Sequence, residues 1–461
     1  MRPSEEMHRI RLSIPSQKLI NKTALFNSLK RAFQLYQSIW KIHFTQFHNL
    51  LEMKKVLLAS LFLVISSLGF AQQKQYVILM KESFESPLGK GRMENSNRER
   101  MEKDNSPARA QKLQKVQAFA DQKGVKSIPG RQFVDAMVGF VAELTEGEAL
   151  TLMESPEVEG VFPDFKMQTR PRMQTRPRMQ GESVTGEDFY DPAIKASCAV
   201  GLMGGPQDNS GKKEVIWIVD SGIDAKHPDL NVTKSNRLAT SFVLEETNPF
   251  EDLAGHGTHC AGLAAGTGRG NPGVRGMSAG AELIPVKVLD RNGEGTWSQL
   301  LMALDHIEKF GRTGDVVLMS LGEYGIQGCS DSNPALIGAI QDLASKGLFI
   351  VMSAGNDSGE SSQNLPGCIE GPNIFTVGSY DFDCSGFTGF SATGNLGTPA
   401  VDFVAPGENV FSAYPGARYM VASGTSMSAA LVAGLIHSLG TVPNSLRQES
   451  HQGITYSFAG R

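Results

Sequence analysis

Apolar and polar positions along this chain fall into blocks of changing period. Tyr76 to Met80 is a short, unbroken apolar run of strand type. After a polar stretch, Leu113, Val116, Phe119 and Ala120 recur at helical spacing within Ala108 to Gln122. Strand character returns from Phe133 to Leu144, carried by Val134, Val138, Phe140 and Val141. Thr145-Glu146-Gly147-Glu148 reads as a capping box that opens a helix through Met153, and Val158 to Phe162 is a last short strand. The order strand, helix, strand or hairpin, helix, strand predicts a small α/β unit of the split βαβ, ferredoxin-like type over residues 75–165.

Farther along, the apolar runs are continuous rather than alternating: Val215 to Val219, Leu283 to Val288, Val316 to Met319, Leu348 to Met352 and Ile374 to Val377. Helical stretches, among them Ser298 to Phe310 and Pro334 to Ser345, separate several of them. Strands that are apolar on both sides belong in a largely parallel sheet with helices on both faces, and that α/β fold is expected for 182–461. Such sheets gather their sites at the carboxyl ends of the strands. Between the two units, Met-Gln-Thr-Arg-Pro-Arg occurs twice from Met167, followed by Met179-Gln180. Rich in Arg and Pro and without an apolar period, segment 166–181 is expected to be an exposed linker.

One further pattern lies near the start. Met53-Lys54-Lys55 leads into an apolar run that ends at Gly69-Phe70-Ala71, which is the grammar of a secretory signal peptide over 53–71. The run is shorter than the roughly 20 apolar residues a bilayer span needs, so no stable membrane anchor is expected and the product should be secreted, extracellular or periplasmic. A signal of this kind begins a chain, so translation is expected to start at Met53, with 1–52 an over-extended N-terminus. That segment is basic and bears Ser, Asn and Gln, which makes a transit peptide the competing reading.

Composition adds little beyond this. Hydrophobic residues are 40% and charged residues 20%, as in globular proteins. A net charge of -4 without a long basic run offers nothing to a nucleic acid. Cys198, Cys260, Cys329, Cys368 and Cys384 are odd in number, which in an exported protein allows up to two disulfides and leaves a thiol or an intermolecular bond. Their spacing suits no zinc site, and the pairing stays open.

Chemistry concentrates in four blocks. Val219-Asp220-Ser221-Gly222 ends a buried strand with an acid, and Gly255-His256-Gly257-Thr258-His259 opens a helix of small residues with histidines. Ser353-Ala354-Gly355-Asn356-Asp357 ends another strand, and Ser423-Gly424-Thr425-Ser426-Met427 places a serine at a helix start. Singly these would be a turn acid, a packed histidine, a turn amide and an N-cap. Together they supply a nucleophile, a base to activate it, an acid to orient the base and a donor for an oxyanion.

The four blocks, in the order Asp, His, Ser, resemble the subtilisin family of serine peptidases over roughly Ile194 to Gly440. The resemblance implies Asp220 as orienting acid, His256 as general base and acid, Ser426 as nucleophile and Asn356 as oxyanion donor. It implies a cleft in which Gly293-Glu294-Gly295 and Ser320-Leu321-Gly322 sandwich a substrate peptide as an added strand. Ala354-Gly355 would form part of the main specificity pocket. Cys260 resembles the proteinase K branch, where it would be a free thiol beneath the histidine. Asp402 with the carbonyls of Pro372 and Ile374 resembles a calcium site of that branch, and no cofactor is implied for the chemistry itself.

Phe140-Val141-Ala142-Glu143-Leu144-Thr145 and Ser155-Pro156-Glu157-Val158 resemble the family's inhibitory propeptide, whose tail would occupy the cleft before being cut away. The expected function is thus a secreted serine endopeptidase made as a self-processing zymogen, acting on protein or peptide substrates. No acid of the matched blocks is expected at the pocket's base, so apolar or aromatic residues should precede the cut, with Glu294 adding a weak basic preference. Departures are Ala430 and Leu431, where the family has Pro and His, Glu323, where a second Gly is common, and a polar tail from Asn444 instead of closing helices. They leave an alternative: a catalytically impaired binding or inhibitory protein of the same fold.

Overall fold

The computed structural model describes residues 73–81, 107–169, 189–326, 329, 333–391, 394–397 and 401–461. The expected signal peptide, segment 1–52 and the repeat beyond Thr169 lie outside them. All the described residues belong to one compact unit that begins at Gln73. Among them, no helix is long and apolar enough to cross a membrane.

The first layer holds β1 (Lys74–Met80), α1 (Pro107–Gln122), β2 (Ser127–Phe133), β3 (Gly139–Leu144), α2 (Glu146–Met153) and β4 (Val158–Pro163). Its sheet is antiparallel in the order β2-β3-β1-β4, the split βαβ arrangement. The capping box forms as expected: Thr145 Oγ1 accepts from Glu148 N, and Glu148 Oε2 accepts from Thr145 N at 2.7 Å. Tyr76, Ile78 and Met80 face α1 and the unit's own core, whereas Val77 and Leu79 join a larger cluster with Trp297 and Leu300. Hence β1 is apolar throughout: one face covers its own helices and the other packs on the second unit. Strand β2 begins at Ser127, earlier than expected, and 134–138 is a loop in which the N–H groups of Val134, Asp135 and Ala136 find a partner in the second unit instead of a ladder.

The linker expectation needs correction at its start. Lys166–Gln168 is strand β5, and Met167 is only 1% exposed. Its partner belongs to the second unit.

That unit carries β6 (Ile216–Asp220), β7 (Thr240–Ser241), α3 (His256–Ala265), β8 (Leu283–Lys287), β9 (Glu294–Thr296), α4 (Trp297–Phe310), β10 (Val316–Met319), α5 (Pro334–Ser345) and β11 (Phe349–Ser353). It continues with β12 (Ile374–Asp383), β13 (Gly386–Phe390), β14 (Phe403–Pro406), α6 (Thr425–Leu439), β15 (Asn444–His451) and β16 (Ile454–Gly460). The main sheet runs β7-β8-β6-β10-β11-β12-β14-β16-β15, with β13 on β12. It is parallel from β7 to β16. Ile216 and Ile218 face a cluster containing α3 and α6 residues, while Trp217 and Val219 face one containing α4 and α5 residues. Both faces are therefore covered, which is why these strands read as continuous apolar runs.

The polar tail expected from Asn444 is instead a hairpin, β15 with β16, and Tyr456, Phe458 and Ala459 are buried. Ile454, Tyr456 and Phe458 alternate with polar residues, a period-two signal that the polar neighbours obscured. Disulfides join Cys198 to Cys384 and Cys329 to Cys368, leaving Cys260 as a buried free thiol.

Candidate active site

Asp220 ends β6 at the point where the sheet order reverses between β8 and β10, so its carboxylate emerges at the crevice where such sheets carry their sites. His256 opens α3 and Ser426 lies in the first turn of α6. Both helices pack on the same sheet face, and glycines let them close up. A Cβ on Gly257 would lie 2.2 Å from Gly222 O and 3.2 Å from Asp220 Cβ. One on Gly434 would lie 2.4 Å from Ala264 O, between the two helices.

His256 Nδ1 lies 2.8 Å from both carboxylate oxygens of Asp220, and both side chains are buried. Burial works against the imidazolium, but the Asp220 carboxylate outweighs it and holds the imidazole well above its usual range. The second histidine of the block does not take part. His259 Nε2 lies 3.1 Å from Met420 O, and burial, with His256 nearby, pushes its pKa down to about 4.

Ser426 Oγ donates to Ser320 O at 3.4 Å rather than to His256. Cys260 Sγ lies beneath, 3.9 Å from His256 Nε2 and 3.9 Å from Ser426 O, where burial pushes the thiol up and keeps it protonated. Resting-state contacts between nucleophile and base are often long and tighten only around substrate. Asn356 Oδ1 accepts from Thr425 N at 2.8 Å, which orients the carboxamide so that Nδ2 is its donor end. Asn356 and Ser426 line one pocket together.

Sequence reasoning missed Asp252. It is fully buried, with Oδ1 accepting from Ser221 Oγ (2.8 Å) and Gly255 N (2.7 Å) and Oδ2 from Thr258 N (2.8 Å) and Thr258 Oγ1 (2.7 Å). It thus ties the residue after Asp220 to the turn that presents His256. Nothing in Glu251-Asp252-Leu253 distinguishes such an acid from a loop residue.

The cleft is occupied by the chain itself. Strand β5 pairs antiparallel with β9, Glu294 facing Gln168 and Gly295 facing Met167. Gln168 exchanges both backbone hydrogen bonds with Gly322 (3.1 and 3.2 Å), and Thr169 N donates to Gly293 O at 2.9 Å. Lys166–Gln168 therefore lies between the two expected segments as a third strand. Trp297 Nε1 donates to Glu323 Oε2 at 2.9 Å beside it, and burial raises the Glu323 carboxyl.

The pocket next to Ser426 is lined by Thr169, Ser320, Leu321, Gly322, Ser353 and Gly355 among others. One expectation changes here: Ala354 is fully buried and lies outside the lining. Asp357 is among the lining residues.

The small unit is anchored through a further residue that the sequence did not reveal. Asp305 Oδ1, buried on α4, accepts the backbone N–H groups of Val134 (3.1 Å), Asp135 (2.5 Å) and Ala136 (2.8 Å). At the expected cation site, Asp402 Oδ2 accepts from Thr376 N at 2.8 Å. Burial, with Glu370 nearby, raises the Asp402 carboxyl to about 6. The Asp402 carboxylate, with the Glu370 carboxylate nearby, supplies oxygen donors of the type a hard cation takes.

The profile of the subtilase family matches residues 211–456, and that of the peptidase inhibitor I9 family matches residues 75–170. Subtilisin amylosacchariticus of Bacillus subtilis subsp. amylosacchariticus is 36% identical over 229 residues, 50% of this chain and 55% of its own. Thermitase of Thermoactinomyces vulgaris is 35% identical over 243 residues, 52% of this chain and 80% of its own. The chain thus spans about half the length of the Bacillus subtilisin it matches. The crystal structure of a cold adapted subtilisin-like serine proteinase matches at 26% identity and a TM-score of 0.44, over 52% of this chain and 84% of that one.

Proposed function

The chain belongs to the subtilase family, and on that premise we propose that it is a secreted serine endopeptidase made as a zymogen, with residues 75–165 as its inhibitory propeptide. The observation that carries the reading is the buried Asp220–His256 pair, 2.8 Å apart, at the crevice that also holds Ser426 and a peptide strand. Ser426 Oγ attacks the substrate carbonyl and passes its proton to His256 Nε2. Asp220 holds the opposite N–H and stabilises the imidazolium that forms. Asn356 Nδ2 and the backbone N–H of Ser426 face the oxyanion. His256 then protonates the leaving amine, and water resolves the acyl-enzyme by the same route.

Pairing through backbone atoms of Gly293, Glu294, Gly295 and Gly322 reads little of the side-chain sequence, which supports broad specificity. The apolar side chain of Met167 in the cleft supports an apolar element, and Asp357 adds a place for a basic residue at the pocket. Two disulfides support export, as does the signal-like segment 53–71. Asp402, with the main-chain oxygens of Pro372 and Ile374, would hold a structural calcium ion.

Ser426→Ala in the full chain tests the reading. Peptide hydrolysis and propeptide release should both stop, as followed by fluorogenic peptide cleavage and by mass spectrometry of the purified precursor. Normal self-processing of that variant would leave the fold with the alternative role, as a binding or inhibitory protein.

A further inference from the structure

The repeat Met-Gln-Thr-Arg-Pro-Arg has no role in the chemistry above, yet the cleft holds the first three residues of its first copy, Met167 to Thr169. Resting on the reading that the cleft takes the chain's own tail as substrate, we propose that the tail docks and is cut in two registers six residues apart.

The cleft makes three demands on the segment it binds. Met167 is 1% exposed, in a cluster with Leu289, Trp297 and Leu321. The site is shaped to it: a Cβ on Gly295 would come within 3.1 Å of Met167 Cε. The backbone of Gln168 pairs with Gly322 on one side and lies opposite Glu294 on the other, and Thr169 N donates to Gly293 O. The demands are therefore an apolar, flexible side chain followed by two residues able to lie extended.

Met173-Gln174-Thr175 meets the same demands with the same residues, and the same Arg-Pro-Arg follows. Met179-Gln180 is followed instead by Gly181, which weakens an extended strand, so that segment makes no third register. Within Met-Gln-Thr no side chain tells the copies apart. Upstream, Asp164 accepts from Ser298 N and Oγ and Phe165 O from Trp297 N. With those contacts kept, the downstream register loops out six more residues between Phe165 and the cleft strand, and closure cost grows only with the logarithm of length. Reach is sufficient on the far side. Fourteen peptide units separate Thr175 from Phe189, the next described residue. Extended, they span up to about 46 Å, about the diameter of a domain of this size.

The chemical consequence does not depend on which bond of the repeat is attacked. Each cut adds one water across one amide, giving a carboxylate on the propeptide side and an amine on the other. Cuts at the equivalent bond in both copies release a hexapeptide containing one Met, one Gln, one Thr, one Pro and two Arg. A cut in the downstream register alone leaves the propeptide with a tail six residues longer.

The test uses the purified full chain. During self-processing, mass spectrometry should find two propeptide C-termini six residues apart, together with that hexapeptide. Met173→Asp, which puts a charge into the apolar subsite only in the downstream register, should remove the downstream end and leave the upstream one. Met167→Asp should do the converse. A single end, or two ends indifferent to Met173→Asp, would overturn the proposal.

A second arm needs no hydrolysis. In the Ser426→Ala chain, peroxide oxidation read by peptide mapping should find Met167 protected at least tenfold relative to Met179. In Ser426→Ala with Met167→Asp, that protection should pass to Met173; if Met173 oxidises as fast as Met179 there, the second register does not exist. A wild type that cuts nothing would count against the peptidase reading, while the oxidation arm still decides the register.

Discussion

Replacing Asp252 by Asn tests whether this acid holds Asp220 and His256, the proposed acid and base, in place. In the native site each carboxylate oxygen takes one hydroxyl and one backbone N–H: Ser221 Oγ with Gly255 N, and Thr258 Oγ1 with Thr258 N. Asn keeps the shape but turns one oxygen into an NH2 group, which donates only. Whichever way the amide faces, the hydroxyl opposite can rotate to accept, but the backbone N–H cannot. One hydrogen bond to a charged group is lost, about 1.5–3 kcal/mol, and a buried donor is orphaned, about 1–3 kcal/mol more. Burial already raises the Asp252 carboxyl, so removing the charge recovers part of that sum. The net loss should be about 3 kcal/mol. Urea denaturation of Ser426→Ala chains with and without the substitution measures it free of self-digestion. In the otherwise wild-type enzyme, displacement of the His256 turn should cut kcat/KM by about tenfold or more. A stability loss below about 1 kcal/mol with unchanged kcat/KM would refute the reasoning, since the four bonds would then carry neither energy nor position.

Asp220 keeps the His256 pKa high against the pull of burial, and a general base works in its neutral form. The kcat/KM profile should therefore rise with pH through a value above the usual histidine range. Asp220→Asn should move that limb to lower pH and lower the plateau by about 10⁴-fold; an unmoved limb would separate Asp220 from His256. Asp305→Ala removes the one acceptor of three backbone N–H groups and should weaken propeptide docking by about 2–5 kcal/mol. Faster hydrogen exchange at 134–136 in the Ser426→Ala chain would report it, and unchanged protection there would contradict it. Burial, with Asp135 nearby, raises the docked Asp305 carboxyl to about 7. Docking thus takes up a proton, so it should be firmest below the ordinary carboxylate range and weaken as pH rises through about 7. At the cleft rim, the Lys166–Glu294 pair is exposed at 3.8 Å and should contribute about 0–1 kcal/mol. Glu294→Gln should therefore change any preference for basic residues by no more than about fivefold, and Asp357→Asn by more. Strict cleavage after Arg or Lys in a peptide library, surviving both substitutions, would overturn the assignment of the pocket.

Much of this protein was legible in its residue order, for definite reasons. Continuous apolar runs such as Val316–Met319 signal a strand buried on both faces, because only there does neither side need polar atoms. Thr145 and Glu148 satisfy each other within one turn, so their capping box needed no tertiary information. The blocks around Asp220, His256, Asn356 and Ser426 could be recognised because each packs several constrained residues into a short stretch. The through-space partners could not be read in this way. Asp252, Asp305 and Met167 look like a loop acid, a helix acid and a linker residue, and each acquires its role from atoms distant in the chain or from burial that the fold creates. The disulfide pairing, 198 with 384 and 329 with 368, is likewise set by which Cα atoms the sheet brings together. Sequence by itself determined the local periods, the caps and the chemical inventory, since these depend on near neighbours. Only the tertiary structure decided which acid supports which helix, which residues line the pocket and what fills the cleft, since those depend on contacts made when distant segments share one interior.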